Sequence, residues 1–136
     1  MKPISFLTAL LLVYSGVLAQ SPAPANAELY FISPADGSTV QNPVTIRFGL
    51  KNIGVAPAGV NKADTGHHHL LIDSGLPPLD KPIPSDARHR HFGKGQTETT
   101  LQLGPGKHTL QLLLGDFAHT PHVPPVISRP ISITVK

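Results

Sequence analysis

The segment Val44-Thr45-Ile46-Arg47-Phe48-Gly49-Leu50-Lys51 alternates apolar residues with polar or small ones. The apolar positions are Val44, Ile46, Phe48 and Leu50. Because successive side chains of a β-strand point to opposite sides, this period of two places all four on one face. The segment therefore predicts a strand with one face in a hydrophobic core and the other in solvent.

Five further segments have the length and composition of short strands, and Gly and Pro separate them. They are Glu28 to Ile32, His67 to Asp73, Glu98 to Leu103, Lys107 to Leu114 and Ile131 to Val135. No window has a convincing helical period, and fifteen prolines disfavour long helices. Six or seven short strands within residues 28–136 predict one all-β domain, a two-sheet sandwich of the immunoglobulin or fibronectin kind.

The turn before one of these strands has a recognisable pattern. The sequence Leu103-Gly104-Pro105-Gly106-Lys107-His108 resembles the Leu-x-Pro-Gly-x-Tyr turn that enters a late strand in many sandwich domains. In that turn, the tyrosine corner, the tyrosine bonds back to the upstream backbone. Because His108 stands in the tyrosine position, we expect it to have a structural role.

Residues 1–19 have the three zones of a secretory signal peptide. Lys2 gives the positive start, and residues 4–14 form a short apolar run. Val17 and Ala19 then occupy the positions −3 and −1 of a cleavage site. Because the run is shorter than the ~20 residues of a membrane-spanning helix, we expect cleavage rather than membrane insertion.

The residues after this signal predict a flexible linker. Residues 20–27 are rich in Pro, Ala, Ser and Asn, and they contain a second small-residue pattern that ends at Ala27. Cleavage after Ala27 is thus an alternative to cleavage after Ala19. Export predicts a periplasmic or secreted location, and the lack of cysteine excludes both disulfides and a lipoprotein anchor.

The charge balance of the expected mature chain is small. Without Lys2, ten Lys and Arg residues face eight Asp and Glu residues, and they are scattered along the chain. This balance argues against nucleic acid or an anionic membrane as a partner.

Histidine is the residue type that carries candidate chemistry, with eight copies in the chain. Because residues i and i+2 of a strand share a side, His67 and His69 can present two imidazoles to one ion, while His68 faces the other way. A His-x-His pair on a strand is a recurring half-site for zinc or copper. The alternative is a structural role, with the ring nitrogens bonded to backbone and water.

The sequence His119-Thr120-Pro121-His122 offers a second chelating pair. This spacing on a loop can bind one ion, and Pro121 lowers the entropy that the loop loses on ordering. Asp116, just before the pair, is a candidate ligand, a partner that orients an imidazole, or a turn former. A purely structural role of this segment is an equal alternative.

The histidines His89 and His91 alternate with Arg88 and Arg90. Since two guanidinium charges disfavour a cation between them, a solvated basic loop or a site for an acidic partner is one interpretation of this segment. We select His91 as the candidate ligand because it adjoins Phe92, where the chain can turn inward.

Together these patterns predict a metal site with imidazole ligands. The candidate ligands are His67, His69, His91, His119 and His122. Without Cys or Met thioether ligands, such a site suits copper(II), zinc(II) or nickel(II) better than copper(I), and the lack of a carboxylate-rich loop argues against calcium. Two long irregular stretches, residues 52–66 and 74–97, are typical of functional or disordered loops.

Several motifs along the chain resemble those of an uncharacterised family of secreted bacterial proteins, the domain of unknown function 4399. They are Pro34-x-Asp36-Gly37, Gly66 to Asp73, His91 to Glu98, Pro105 to Leu112, and Gly115-Asp116-x-x-His119-x-Pro121-His122. The resemblance covers Leu29 to Val135. It implies export and a single domain that contains the histidine motifs, and it brings no activity, substrate or cofactor.

Three functions follow as hypotheses. The first is an exported binding protein that holds copper(II) or zinc(II) and serves as a metal buffer, a chaperone or an accessory factor, with an envelope protein as a possible partner. The second is a metal-free interaction module of the cell envelope, in which the histidines are structural. The third, less favoured because no general base lies clearly beside a nucleophile, is a metal-dependent enzyme.

Overall fold

The computed structural model describes residues 11–13 and 19–136, so most of the predicted signal peptide lies outside the described residues. The described part folds into nine strands and contains no helix. The strands are β1 (Glu28–Ser33), β2 (Thr39–Val40), β3 (Val44–Lys51), β4 (Gly54–Val55), β5 (Thr65–Ile72), β6 (His89–His91), β7 (Glu98–Leu101), β8 (Gly106–Gly115) and β9 (Ile131–Val135). All six predicted strands are present, and β2, β4 and β6 are short additions.

The strands form two sheets. One has the order β1-β3-β7, and the other has the order β2-β9-β8-β5-β4, with β6 also paired to β5. The predicted all-β, two-sheet sandwich is therefore confirmed. No helix in the described part of the chain is long and apolar enough to cross a membrane.

The main core lies between the two sheets. Ile46 and Phe48 of β3 face Leu70 of β5 and Leu112 of β8, and all four side chains are buried. Each such side chain contributes about 1.5–3 kcal/mol to stability when it leaves water. The apolar residues of β3 thus recur at every second position because that face of the strand packs in the core, as the sequence predicts.

The strand β5 is covered on both faces, unlike β3. Every residue from Gly66 to Ile72 is buried. Leu71 of β5 and its sheet neighbour Leu113 of β8 are fully buried, yet they do not belong to the core between the sheets. The long segments after β5 and β8 lie over this outer face, where Ile83 is also buried. These segments create a second enclosed region outside the main core.

The N-terminal segment lies against this part of the sandwich. Residues 21–23 pair with Val123, since the amide of Val123 donates to the Ser21 carbonyl and the amide of Ala23 donates to the Val123 carbonyl, both at 3.0 Å. Residues 20–27 therefore make defined contacts with the domain.

Candidate metal centre

The alternation of β5 divides its three histidines between two environments. His68 faces the core, where its ring centre lies 5.0 Å from that of Phe48. His67 and His69 point to the outer face, and their ring centres are 4.7 Å apart. The side-by-side arrangement predicted for His67 and His69 is present.

Four imidazoles converge on the outer face of the larger sheet. We call them the imidazole cluster: His67, His69, His91 and His119. Each ring offers one nitrogen, and these four nitrogens lie within 4.8 Å of one another. Two rings of the cluster are buried, whereas the rings of His91 and His119 are accessible to solvent.

Strand pairing brings His91 to the cluster. The short strand β6 is antiparallel to β5, and in this register His91 lies directly opposite His69. Cross-strand neighbours of this kind have Cβ atoms about 4.5–5.5 Å apart on the same face. A shift of one residue would turn His91 away and present Arg90 instead. Since His89 and His91 share a face of β6, a shift of two residues would instead place His89 opposite His69, so the register selects His91.

A turn after β8 brings His119 to the cluster. His67 lies opposite Gly115, the last residue of β8, so the chain leaves the sheet beside the first ligand. The His119 backbone has a φ of 65°, in the left-handed region, which is uncommon for a residue other than glycine. This conformation returns the ring to the sheet, and its Nδ1 lies 3.2 Å from His67 Nε2.

The nitrogens of the cluster cannot all be satisfied by hydrogen bonds. His67 Nε2 is 2.9 Å from His69 Nε2 as well as 3.2 Å from His119 Nδ1. An imidazole nitrogen carries either one hydrogen or one lone pair in the ring plane. A single hydrogen or lone pair would have to serve two partners, whereas a metal ion can accept a lone pair from each nitrogen.

Burial favours the neutral, metal-binding form of His67, His69 and His91. Burial, reinforced by the neighbouring rings of His119 and His91, lowers the pKa of His67 to about 4. Burial, reinforced by the neighbouring rings of His67 and His91, lowers the pKa of His69 to about 2. Burial also lowers the pKa of His91. At neutral pH each of these three rings therefore keeps one nitrogen whose lone pair is free for a metal ion.

Two glycines make room for the rings. A Cβ atom on Gly115 would lie 2.8 Å from His69 Nε2, closer than side chains normally approach. A Cβ atom on Gly93 would collide with the His91 ring. Neither glycine is predictable from the sequence as part of the site, because the need for space appears only once the rings are in place.

His122 is the candidate ligand that stays outside the cluster. Its ring is buried, and its Nε2 donates a hydrogen bond of 2.9 Å to the Thr65 carbonyl. Its Nδ1 has no hydrogen-bonding partner among the residues that the structure describes. His122 thus ties the loop after β8 to the start of β5.

Asp116 acts as a turn former in this structure. One carboxylate oxygen accepts hydrogen bonds from the amides of Ala118 at 2.9 Å and Thr120 at 3.0 Å. The carboxylate is buried and does not belong to the imidazole cluster. Of the three roles considered for Asp116, these bonds support the one that shapes the chain around His119.

His89 belongs to a separate loop arrangement. Its Nδ1 lies 2.8 Å from Asp86 Oδ1, and its Nε2 lies 3.3 Å from the Ser74 hydroxyl. The order Ser–His–Asp is that of a hydrolase triad, but the Asp86 side chain is 54 % exposed, whereas the triad acid is buried. Asp86 also caps the amides of Arg88 and His89. We therefore assign these residues to loop structure.

His108 lies at the opposite end of β5 and β8 from the cluster. Its Nε2 donates to the Gly104 carbonyl, four residues upstream, at 2.7 Å, and its Nδ1 lies 2.7 Å from Asp73 Oδ2. The bond to Gly104 is the corner interaction that the sequence predicts. The Gly104 carbonyl and the Asp73 carboxylate together raise the pKa of His108.

The comparison with known proteins gives a family and no further likeness. All four histidines of the imidazole cluster fall within the matched region of the family, which spans residues 46–136. No curated protein and no solved structure matches the chain. Since the match covers well over half of the chain, this protein belongs to the family described as domain of unknown function, DUF4399.

Proposed function

We propose that this protein is an exported metal-binding protein that holds zinc(II), or alternatively copper(II), in the imidazole cluster. It would serve as a metal buffer, a chaperone or an accessory factor in the cell envelope. The observation that carries the proposal is the convergence of four ligand nitrogens within 4.8 Å, from residues up to 52 positions apart in the chain.

The shape of the cluster favours zinc(II). Five of the six distances between ring centres lie between 4.7 and 5.0 Å, and the sixth, between His69 and His119, is 6.2 Å. Four nearly equidistant points form a tetrahedron, which is the usual geometry of zinc(II) in closed protein sites. A square arrangement would instead make two of the six distances about 1.4 times the others, as tetragonal copper(II) prefers.

The nitrogen distances agree with the same geometry. Zn–N bonds of about 2.0–2.1 Å place the ligands of a tetrahedron about 3.3 Å apart. The two contacts of His67 Nε2, at 2.9 and 3.2 Å, are close to this value. All four nitrogens lie within 4.8 Å of one another, so adjustment of the rings would bring the remaining pairs to the same spacing.

The ligand number favours metal holding over catalysis. Catalytic zinc sites usually keep three protein ligands and leave the fourth position to water or substrate. The imidazole cluster supplies four ligands and would close the coordination shell. An enzyme is for this reason the less supported function.

The metal-free alternative is less well supported by the hydrogen bonds. His67 Nε2 faces two other ring nitrogens, His69 Nε2 at 2.9 Å and His119 Nδ1 at 3.2 Å, and one hydrogen or one lone pair cannot serve both well. A purely structural network would be expected to give each buried ring nitrogen a partner of its own. His108 has such partners for both of its nitrogens.

Export rests on the sequence alone. The three-zone pattern of residues 1–19 supports a signal peptide, and the lack of cysteine suits a compartment without reduced thiols. N-terminal sequencing of protein recovered from the periplasm or medium tests this part. We expect a mature chain that begins at Gln20 or at Glu28, and an uncleaved cytoplasmic chain would contradict export.

Calorimetric titration of the purified mature protein tests metal binding. We expect zinc(II) to bind with one ion per chain and a Kd well below about 10 μM. The variant with both His67→Ala and His69→Ala should lose this binding, while His108→Ala should keep it. Cobalt(II) offers a spectroscopic check, since a tetrahedral site gives it intense visible absorption.

Two results would contradict the proposal. One is zinc(II) and copper(II) affinity weaker than about 10 μM for the wild-type protein. The other is unchanged affinity in the double variant. Tighter binding of copper(II), with a tetragonal spectrum, would keep a metal-binding function but replace zinc(II) as its ion.

A further inference from the structure

The ligand His119 differs from the others in how the chain supports it. His67, His69 and His91 lie on paired strands of one sheet, so the ladder of backbone hydrogen bonds fixes their positions. His119 lies on the His119 loop, which we define as residues 116–123, and has a left-handed backbone with a φ of 65°. A non-glycine residue in this region is strained and persists only where its surroundings hold it.

The inner support of the His119 loop comes from Asp116. The amide of His119 donates to the Asp116 carbonyl at 2.9 Å, and the amide of Asp116 donates to the Thr120 carbonyl at 2.8 Å. The Asp116 carboxylate closes the same turn through the amides of Ala118 and Thr120. These bonds leave the second carboxylate oxygen of Asp116 to face outward from the turn.

The outer support comes from the N-terminal strap, which we define as residues 20–23. The Ser21 hydroxyl donates to Asp116 Oδ2 at 2.8 Å. The Gln20 amide donates to the carbonyls of Pro121 at 3.0 Å and Leu79 at 2.7 Å. With the backbone pairing to Val123, the strap contacts the His119 loop at three points.

The strap and the imidazole cluster thus contact opposite sides of the His119 loop. His119 Nδ1 meets His67 Nε2 on the inner side, and Ser21 meets the carboxylate that closes the turn on the outer side. Apart from Ala23, which packs against the core, the strap buries little apolar surface, since its four residues are half-buried or exposed. Its docking therefore depends mainly on polar contacts, which makes it sensitive to the order of the loop.

From this geometry we infer that docking of the N-terminal strap regulates the metal site by holding the fourth ligand, His119, in place. The inference rests on the proposed function. Because coupling between two binding events is reciprocal, the strap strengthens metal binding and the metal strengthens docking of the strap by the same factor. Ser21 and Gln20 are positioning residues in this scheme, and they do not contact the ion.

The test uses the chain that begins at Gln20 and compares its zinc affinity with and without the strap contacts. We expect the double variant Gln20→Ala/Ser21→Ala to weaken zinc binding about five- to tenfold. The control Ser38→Ala removes an exposed hydroxyl bond to the Ala35 carbonyl, far from the loop, and should leave the affinity unchanged. The same strap substitutions in a His119→Ala background should have no further effect, because the ligand they hold is gone.

Hydrogen exchange provides a readout of the reciprocal effect. The amides of Ala23 and Val123 form the strap pairing, so zinc should slow their exchange in the wild-type protein but not in His119→Ala. A structural role of the strap without coupling would leave their exchange indifferent to zinc.

The outcomes separate this inference from the proposed function. A wild-type protein that binds no metal refutes the proposed function. A wild-type protein that binds zinc, with equal affinity in the strap variant, refutes the inference alone. A loss of affinity that persists in the His119→Ala background also refutes it, since the strap would then act on general stability.

Discussion

The histidines at the two ends of the β5–β8 strand pair have opposite surroundings. At one end, His67 lies opposite Gly115, and the imidazole cluster gathers nitrogens that face one another. At the other end, each nitrogen of His108 has an acceptor of its own, the Gly104 carbonyl and the Asp73 carboxylate. The same residue type is therefore placed for lone-pair donation at one end and for hydrogen donation at the other.

The difference follows from what surrounds each ring. Burial and neighbouring imidazoles lower the pKa of His67 and His69, which keeps both rings neutral, with one nitrogen of each free of a proton. The carbonyl and carboxylate beside His108 raise its pKa, which favours the imidazolium. A count of histidines does not separate a ligand from a structural residue, but the atoms opposite each nitrogen do.

The largest expected effect is stabilisation by zinc at the cluster. A ligand that binds only the folded state at about 100 times its Kd adds about 2.7 kcal/mol. For a domain of this size, Tm should rise by about 10 °C. Thermal unfolding followed by circular dichroism should show this shift in wild type and in His108→Ala, but not in the double variant His67→Ala/His69→Ala. An equal shift in all three would place the ion elsewhere.

A smaller effect is expected when space is removed beside the cluster. Gly115→Ala places a methyl group 2.8 Å from His69 Nε2, and we expect zinc affinity to fall about ten- to a hundredfold. Gly104→Ala is the matched control at the opposite end, since its Cβ would meet nothing within 4 Å. Calorimetric titration of both variants measures the difference, and wild-type affinity in Gly115→Ala would contradict the geometry of the cluster.

Replacing a histidine by leucine should change the free energy of unfolding in opposite directions at the two ends of the β5–β8 pair, when a chelator keeps metal away. His69→Leu replaces a buried ring whose Nδ1 has no partner in the described part of the chain, so the free energy of unfolding should stay level or rise by up to about 1 kcal/mol. His108→Leu removes two hydrogen bonds and should lower it by about 1 kcal/mol. Urea unfolding measures both, and a large loss in His69→Leu would indicate a structural role for the cluster.

The smallest effect concerns pH and the His108–Asp73 pair. The raised pKa of His108 adds stability that is full below its unfolded value of 6.5 and is lost as the pH rises through the folded value. Burial alone would raise the pKa of Asp73, but the hydrogen bonds from Thr109 and His108 outweigh burial and lower this pKa. The stability that Asp73 contributes is therefore present above its unfolded pKa of 3.8 and is lost as the pH falls through its folded pKa. The pair therefore contributes most between pH 3.8 and 6.5.

Because the Asp73 side chain is 42 % exposed, solvent screening should limit the pH effect to roughly 0.5 kcal/mol. The difference in unfolding free energy between wild type and His108→Gln, measured with a chelator present, should shrink by this amount from pH 6 to pH 9. A difference that is constant over this range would show that the pair is not coupled to folding.

Local patterns in the sequence were enough for several features. The alternation of β3 predicted its buried face, and the alternation of β5 predicted that His67 and His69 share a side while His68 does not. The corner bond from His108 to Gly104 was also predictable, because it spans only four residues. In each case the two ends of the relationship lie within one strand or one turn, where backbone geometry fixes them.

Contacts between distant segments decided the rest. The sequence by itself determined an all-β sandwich and a histidine pair on one strand, because a two-residue period leaves few alternatives. Only the tertiary structure decided that His91 and His119 complete the cluster while His122 bonds the Thr65 carbonyl, and that the N-terminal strap supports the loop. The physical reason is that strand register and loop closure depend on the packing of the whole domain, which no local pattern contains.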